Sequence, residues 1–332
     1  MKIEIKDLKD LAIRAILKTG NIKEADIGKI LDVLLFADMT GRSTQGVIKL
    51  TGSEPLQTIV ATDEIEITKE TPVSVQINAH GNPAPLAAHF ATEKVIEKCK
   101  TSGIGIAGLN GIYSSNGAQA YYADKIARAG FVALVASRSP GAIAPYGGKE
   151  PLFGTNPIAF GFPTLKNPLI FDMASSAITW YGLIKAKADG KPIPNDVAID
   201  KNGELTTDPT AVMEGGAILP FDRSYKGAGI AMVVELLGGP LAGATFCNVD
   251  VQGKDWGAFI LALDTGLFND AEKFKESASE LIKIVKNSKP RSSDVIVSIP
   301  GDRSLKFYKE ALSTGEVEIS DAILSELRDQ VK

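Results

Sequence analysis

The sequence predicts an α/β fold on three observations. Its first forty residues carry two apolar patterns of helical period, its middle alternates short β-type runs with helical ones, and glycine and proline punctuate the junctions. With 44% hydrophobic residues in 332, the chain has enough apolar surface for a substantial core.

The elements follow in order. DLKDLAIRAILKTG (7–20) spaces Leu8, Leu11 and Ala15 at helical intervals, with Asp7 as the expected N-cap and Gly20 as the stop. Asn21 and Glu24 suggest a capping box for a second helix, whose stripe of Ile27, Ile30, Leu31, Leu34 and Leu35 ends near Met39, with Gly41 as its C-terminal glycine. The polar stretch MTGRSTQG (39–46) then reads as a helix exit in which Ser and Thr satisfy loose carbonyls. After TDEIEITKE come the β-type segments SVQIN (74–78), GIGIAGL (103–109), FVALVAS (131–137), PIAFGF (157–162) and PLIFDMA (168–174). Helical patterns at 86–100 and 118–129 lie among them, and further helices fit 229–237, 271–286 and a final C-terminal pair. The chain therefore divides into a helical domain over 1–65, joined by C-terminal helices at 305–332, and an α/β domain over 66–304.

Composition narrows the partners. Forty acidic and 36 basic residues give a net charge of −4 with no basic stripe, so nucleic acid is not expected. MKIEIKDLKD lacks the apolar run of a signal peptide and nothing reaches the length of a membrane span, which points to the cytoplasm. Cys99 and Cys247 lie far apart without metal-ligand spacing, so no metal is expected. Only His80, in an NAHGNP turn, and His89, within a helix, are available as histidine acid/base groups.

Neither GxGxxG nor GxxxxGK[ST] occurs in the required setting, since the glycines of GIGIAGLNG (103–111) fall inside a strand pattern. PYGGKEPLFGTNPIAFGFP (145–163) reads as a rigid connector. In ILPFDRSYKGAGIAMVVELL (218–237), Lys226 beside free N–H groups at a helix start is a candidate phosphate site.

GTNPIAFGFP, FDMASSA, ELTTDPTAVMEGGAILP, YKGAGIAMVVELLGGPLAGA, GAFILALD and IPGD, in that order, resemble the second-type malate/L-lactate dehydrogenases. That family includes ureidoglycolate and sulfolactate dehydrogenases, diketogulonate reductase and the piperideine/pyrroline-carboxylate reductases. The resemblance runs from the first helix to the last. It implies an NAD(P)-dependent, usually dimeric enzyme with a non-Rossmann nucleotide fold, using NAD or NADP on a small carboxylate. Cofactor contacts carry over onto Asp172, Met173 and Ala174, onto Lys226 and Gly227, and onto Pro300, Gly301 and Asp302, with Asp172 also a polar support beside the nicotinamide. FDRSYKG departs from the family in lacking a GG pair and in being one residue longer.

MTGRSTQG aligns with the family's ADLRGxxSHGxxR segment, which places Gln45 at a histidine position and Lys49 at the arginine that grips a substrate carboxylate. The second histidine, in SNHxG, is replaced by Ser115 of IYSSNGAQAYY. The catalytic candidates are therefore Gln45, Ser115 and Asp172, with His80 as a substitute acid. Thr44, Lys49 and Arg138 are the substrate-binding candidates. Neither Gln45 nor Ser115 supplies a proton readily, and a general acid typically contributes about 10²–10⁴-fold. Three readings follow: a 2-oxo/2-hydroxy acid dehydrogenase with a substitute acid, a reductase of 2-imino carboxylates whose substrate brings its own proton, or a nucleotide-binding homologue that has lost catalysis.

Overall fold

The computed structural model describes residues 1–52, 55–249 and 256–332. A short strand, β1 (Lys2–Glu4), leads into α1 (Ile5–Leu17), and α2 (Glu24–Met39) follows. Neither helix is capped as its sequence suggests. Glu4, not Asp7, is the N-cap of α1, because Ile5 N–H donates to Gly315 O at 2.8 Å and delivers the chain into the helix early. Lys23 is the N-cap of α2 without a side-chain bond, since Asn21 Nδ2 instead donates to Gln57 O at 3.2 Å. The end of α2 is as expected: Thr40 Oγ1 donates to Phe36 O at 2.7 Å, and Gly41 takes a φ of +72°.

The central body begins with β2 (Glu66–Glu70), β3 (Ser74–Asn78), α3 (Ala84–Ser102), β4 (Ile104–Ile112), α4 (Gln119–Arg128), β5 (Val132–Arg138), β6 (Ile158–Phe162) and β7 (Leu169–Met173). An outlying segment carries α5 (Trp180–Ala188), β8 (Ala198–Ile199), α6 (Pro209–Met213) and β9 (Ala217–Ile218). The chain then forms α7 (Tyr225–Gly238), β10 (Trp256–Leu263), α8 (Ala271–Lys286), α9 (Asp302–Thr314), β11 (Glu316–Glu318) and α10 (Asp321–Gln330).

The seven-stranded sheet has the order β2-β3-β4-β10-β5-β6-β7 and is antiparallel except between β3 and β4, which α3 connects. β10 inserts between β4 and β5 from more than a hundred residues away, a pairing that local pattern does not reveal. One face of the sheet, with Ile77, Leu109, Val135 and Ile260, packs against Ala87, Ala91 and Val95 of α3 and Tyr122 and Ile126 of α4. Gly105 belongs to this packing: a Cβ there would sit 2.0 Å from Val95 O, so the glycine lets α3 approach the strand and has no phosphate-turn role.

A second core joins the chain's two ends. Leu8, Leu11, Ile16, Ile30, Leu31 and Leu34 share it with Ala311, Val317, Leu324 and Leu327. A fully buried leucine contributes about 1.5–3 kcal/mol, so this cluster, rather than helix propensity, holds the terminal helices together. A third cluster, including Ile143, Phe153, Leu183 and Ile218, consolidates the outlying segment, where the 145–163 connector is tied down by Ile143 N–H donating to Phe153 O. Among the described residues no helix is long and apolar enough to cross a membrane.

Candidate active site

The polar stretch after α2 folds back on itself as two 3₁₀ turns, Ser43–Gln45 and Val47–Leu50. Asp38 holds the second turn by accepting from Val47 N–H at 2.9 Å, and Gly46 permits that approach because any Cβ there would collide with the Asp38 carboxylate. Burial pushes the Asp38 carboxyl up to about 7, only partly offset by the Val47 bond.

This turn meets the loop after β4. Ser115 Oγ donates to Gln45 Oε1 at 3.1 Å, so the two residues at the expected histidine positions touch each other. Gly117, at φ +81°, brings the loop over α2, where a Cβ would lie 2.8 Å from Val33 Cγ1. Thr44 lies half-buried on the same turn as Gln45. Lys49 is 6% exposed, and its Nζ lies 3.7 Å from the centre of the Tyr181 ring on α5. Burial lowers the Lys49 amine to about 7.

Arg42 connects this turn to the cofactor-type motifs. Its Nε lies 3.4 Å from Asp172 Oδ2 on β7, and its Nη1 donates to Ser304 Oγ on α9 at 2.8 Å. Asp172 also accepts from Ala120 N–H at 3.1 Å; burial raises its carboxyl, while Arg42 and the Ala120 amide oppose the rise. Next to this pair is a cavity of about 440 Å³ lined in part by Arg42, Ala120, Lys286, Pro300, Gly301 and Asp302. The Pro300–Asp302 loop lies tight on β7, where a Cβ at Gly301 would be 2.9 Å from Ile170 O, and Asp302 pairs with Lys286 at 2.6 Å.

Met173 and Ala174 continue into a segment joined to the start of α7, as Phe221 N–H donates to Ser175 O at 2.9 Å and Ser176 bridges to Pro220. The helix start differs from expectation. Ser224 Oγ accepts from the Lys226 N–H and Asp222 from the Gly227 N–H, so these amides are not free for an anion. The Lys226 side chain stays exposed at this helix start. Arg223 accommodates the longer loop with a φ of +57°, its guanidinium held by Asp196 O at 3.0 Å.

Three predicted residues lie apart from this cluster. Arg138 faces α7 instead of the Gln45 turn: its buried Nε lies 3.3 Å from Glu235 Oε1, and that carboxylate also accepts from Asn156 Nδ2 and Cys247 N–H. His80 pairs with Glu66 on β2 at 3.0 Å. His89 is enclosed by Tyr121, Lys125 and Glu93, and burial followed by Lys125 lowers its pKa.

A nicotinamide dinucleotide fits these residues on one observation: the cavity beside the Arg42–Asp172 pair has the size of a ligand subsite and is lined by the cations Arg42 and Lys286 together with the Pro300–Asp302 loop. The chain matches the malate/L-lactate dehydrogenase family over residues 3–328. It belongs to that family.

This dehydrogenase is 33% identical to the L-sulfolactate dehydrogenase of Methanothermobacter thermautotrophicus, over 95% of this chain and 92% of the relative. It is 32% identical to a Delta(1)-pyrroline-2-carboxylate/Delta(1)-piperideine-2-carboxylate reductase of Pseudomonas aeruginosa, over 73% of each. The structure of malate dehydrogenase from Entamoeba histolytica shares the fold, with a TM-score of 0.91 over 99% of this chain and 97% of that one at 22% identity. The protein is an NAD(P)-dependent oxidoreductase.

Sequence reasoning missed Arg42, Asp38 and Tyr181 in this dehydrogenase. An arginine between two glycines was the available signal for Arg42. The buried Lys49 carries a stability consequence. An amine lowered from 10.5 to about 7 on folding destabilises the native state increasingly as pH falls below 10.5, with the full cost present below about 7. Lys49→Met is expected to raise Tm by the equivalent of a few kcal/mol near pH 6, and by much less near pH 10. Thermal melts across that range check it; a change independent of pH would contradict the burial argument.

Proposed function

We propose that this dehydrogenase transfers a hydride between its nicotinamide cofactor and C2 of a small 2-oxo/2-hydroxy carboxylate, with Gln45, Ser115 and Lys49 at the substrate. The Gln45–Ser115 contact carries the reading. Because Ser115 Oγ donates to Gln45 Oε1, the amide's Nε2 is left to donate to the oxygen on which charge develops. Lys49 supplies a cation for the substrate carboxylate, as a point charge rather than a bidentate fork. Thr44, on the Gln45 turn, is a further substrate contact.

The bound cofactor, NAD or NADP, supplies or accepts the hydride. Asp172, Met173 and Ala174, with Pro300, Gly301 and Asp302, hold it against β7, and Lys226 and Gly227 approach from α7. Arg42 fixes the Asp172 carboxylate so that it supports the nicotinamide end. The mostly antiparallel sheet, without a glycine fingerprint, supports a non-Rossmann nucleotide fold. The shared core of the first and last helices supports a helical domain over 1–65 and 305–332 against an α/β domain over 66–304.

A second reading, reduction of a 2-imino carboxylate, is favoured by the Gln45–Ser115 contact, in which neither side chain is a ready proton donor. A protonated imine already carries the proton that a ketone must be given. Following NADH and NADPH oxidation with pyruvate, oxaloacetate and a cyclic 2-imino carboxylate separates the two. Ketone turnover is expected, rising about tenfold or more in Gln45→His. Turnover of imines alone would replace the first reading with the second, and cofactor binding without turnover of any substrate would sink both.

We also infer a homodimer formed through α7, which leaves Met232, Val233 and Leu236 more than half exposed beside Leu241. Light scattering is expected to give twice the 35.1 kDa chain mass, and Val233→Glu to shift it to the monomer value. A wild-type monomer would contradict this.

A further inference from the structure

The cavity beside the Arg42–Asp172 pair runs along β7 to the turn that joins β6 to β7, where Thr164, Lys166 and Asn167 line it. Asp172 is three residues beyond the start of β7, so the turn lies roughly 10 Å from it along the strand. Two hydrogen bonds shape this far end. Thr164 Oγ1 donates to Asn167 O at 2.7 Å and closes the turn, and Leu165 N–H donates to Ser279 Oγ on α8 at 3.0 Å. Lys166 follows Leu165, and Lys283 lies one helical turn beyond Ser279 on the same face of α8, so the Leu165–Ser279 bond brings both lysines to one end of the cavity.

The charges at that end do not balance. Arg42 is matched by Asp172, Arg128 by Asp124 at 2.6 Å and Lys286 by Asp302 at 2.6 Å. Lys283 reaches only Glu280, at 3.5 Å, with both side chains more than half exposed, and among the described residues no carboxylate pairs with Lys166. Two cations are therefore left over. The carboxylates that line the cavity, Asp124 and Asp302, are both engaged, so neither is free to accept from a ribose 2′-hydroxyl, the contact that commonly favours NAD.

We propose that Lys166 and Lys283 clamp the 2′-phosphate of NADP, so that this dehydrogenase selects NADP over NAD. This selectivity rests on the reading of the cavity as the cofactor site, with the nicotinamide end at Asp172. A dinucleotide held that way has its adenosine ribose at the far end, between the turn and α8. The N-terminus of α9 meets β7 at Ile170, between the two ends, and its dipole serves the pyrophosphate that both cofactors share. The lysines beyond it are left for the one group that distinguishes the cofactors. A phosphate monoester carries about −1.5 to −2 near pH 7, which two ammonium groups match, whereas a hydroxyl gives them no counter-charge. Because both lysines stand at the solvated mouth, each is expected to contribute only about fivefold in affinity.

The test is fluorescence titration of wild type, Lys166→Gln and Lys283→Gln with NADPH and NADH, followed by competition against adenosine 2′,5′-bisphosphate and adenosine 5′-monophosphate. Wild type is expected to bind NADPH about tenfold or more tighter than NADH, and the bisphosphate to displace NADPH well below the concentration at which the monophosphate does. Each variant is expected to lose about fivefold in NADPH affinity and to keep its NADH affinity within about twofold. Equal wild-type affinity for the two cofactors would overturn the selectivity and leave the proposed function standing. Equal weakening of NADH and NADPH in the variants would assign the lysines to the shared pyrophosphate and overturn the clamp in the same way. Binding of neither cofactor would overturn both the clamp and the reading of the cavity on which it rests.

Discussion

The ion pair between Arg42 and Asp172 is the constraint on which this site depends. Arg42 belongs to the loop that ends α2, Asp172 to the last strand of the sheet, and Ser304, which accepts the other arm of the guanidinium, to α9. One side chain therefore links the layer of terminal helices, the edge of the sheet and the loop at Pro300–Asp302. The carboxylate is nearly enclosed, at 11% side-chain exposure, and an ion in that position persists only when paired and hydrogen-bonded; Arg42 and the Ala120 amide meet both requirements. Gln45 through Lys49 continue from that loop and are held in turn by Ser115 and Asp38.

The chemistry of the site follows from what that loop carries. Gln45 and Ser115 satisfy each other's hydrogen bond, which leaves the amide hydrogens as donors at a point where neither side chain titrates near neutral pH. Two buried groups nearby, the Asp38 carboxyl and the Lys49 amine, are each brought to about 7 by burial from opposite ends of the scale. Asp38 is committed to holding the second turn, whereas Lys49 meets the aromatic face of Tyr181.

Much of the fold was legible from periodicity. The stripe from Ile27 to Leu35 gave α2, and SVQIN gave β3 with its bounds unchanged, because both are buried on one side and their patterns record it. Helix starts were less legible: Asp7 and Asn21 are good capping residues, but the pairing of β1 with β11 and the contact to Gln57 outweighed local preference. α5 went unread because only Leu183 among its residues is buried, so it carries no stripe. At the site, only the family resemblance singled out Gln45 and Ser115, and the structure brings these two side chains into contact. Arg138 was misleading because its partner Glu235 is nearly a hundred residues away on α7, and Arg42 was overlooked because an ion pair across 130 residues leaves no local mark.

The most direct test of this account is a double-mutant cycle on NADH affinity, measured by fluorescence titration of wild type, Arg42→Gln, Asp172→Asn and the double variant. If the pair positions the cofactor strand against the substrate loop, the two losses are strongly non-additive, with a coupling of about 1–3 kcal/mol and a double variant little worse than the poorer single one. Losses that add to within about 0.5 kcal/mol would mean that Arg42 and Asp172 act independently, and would contradict the central role given to their contact.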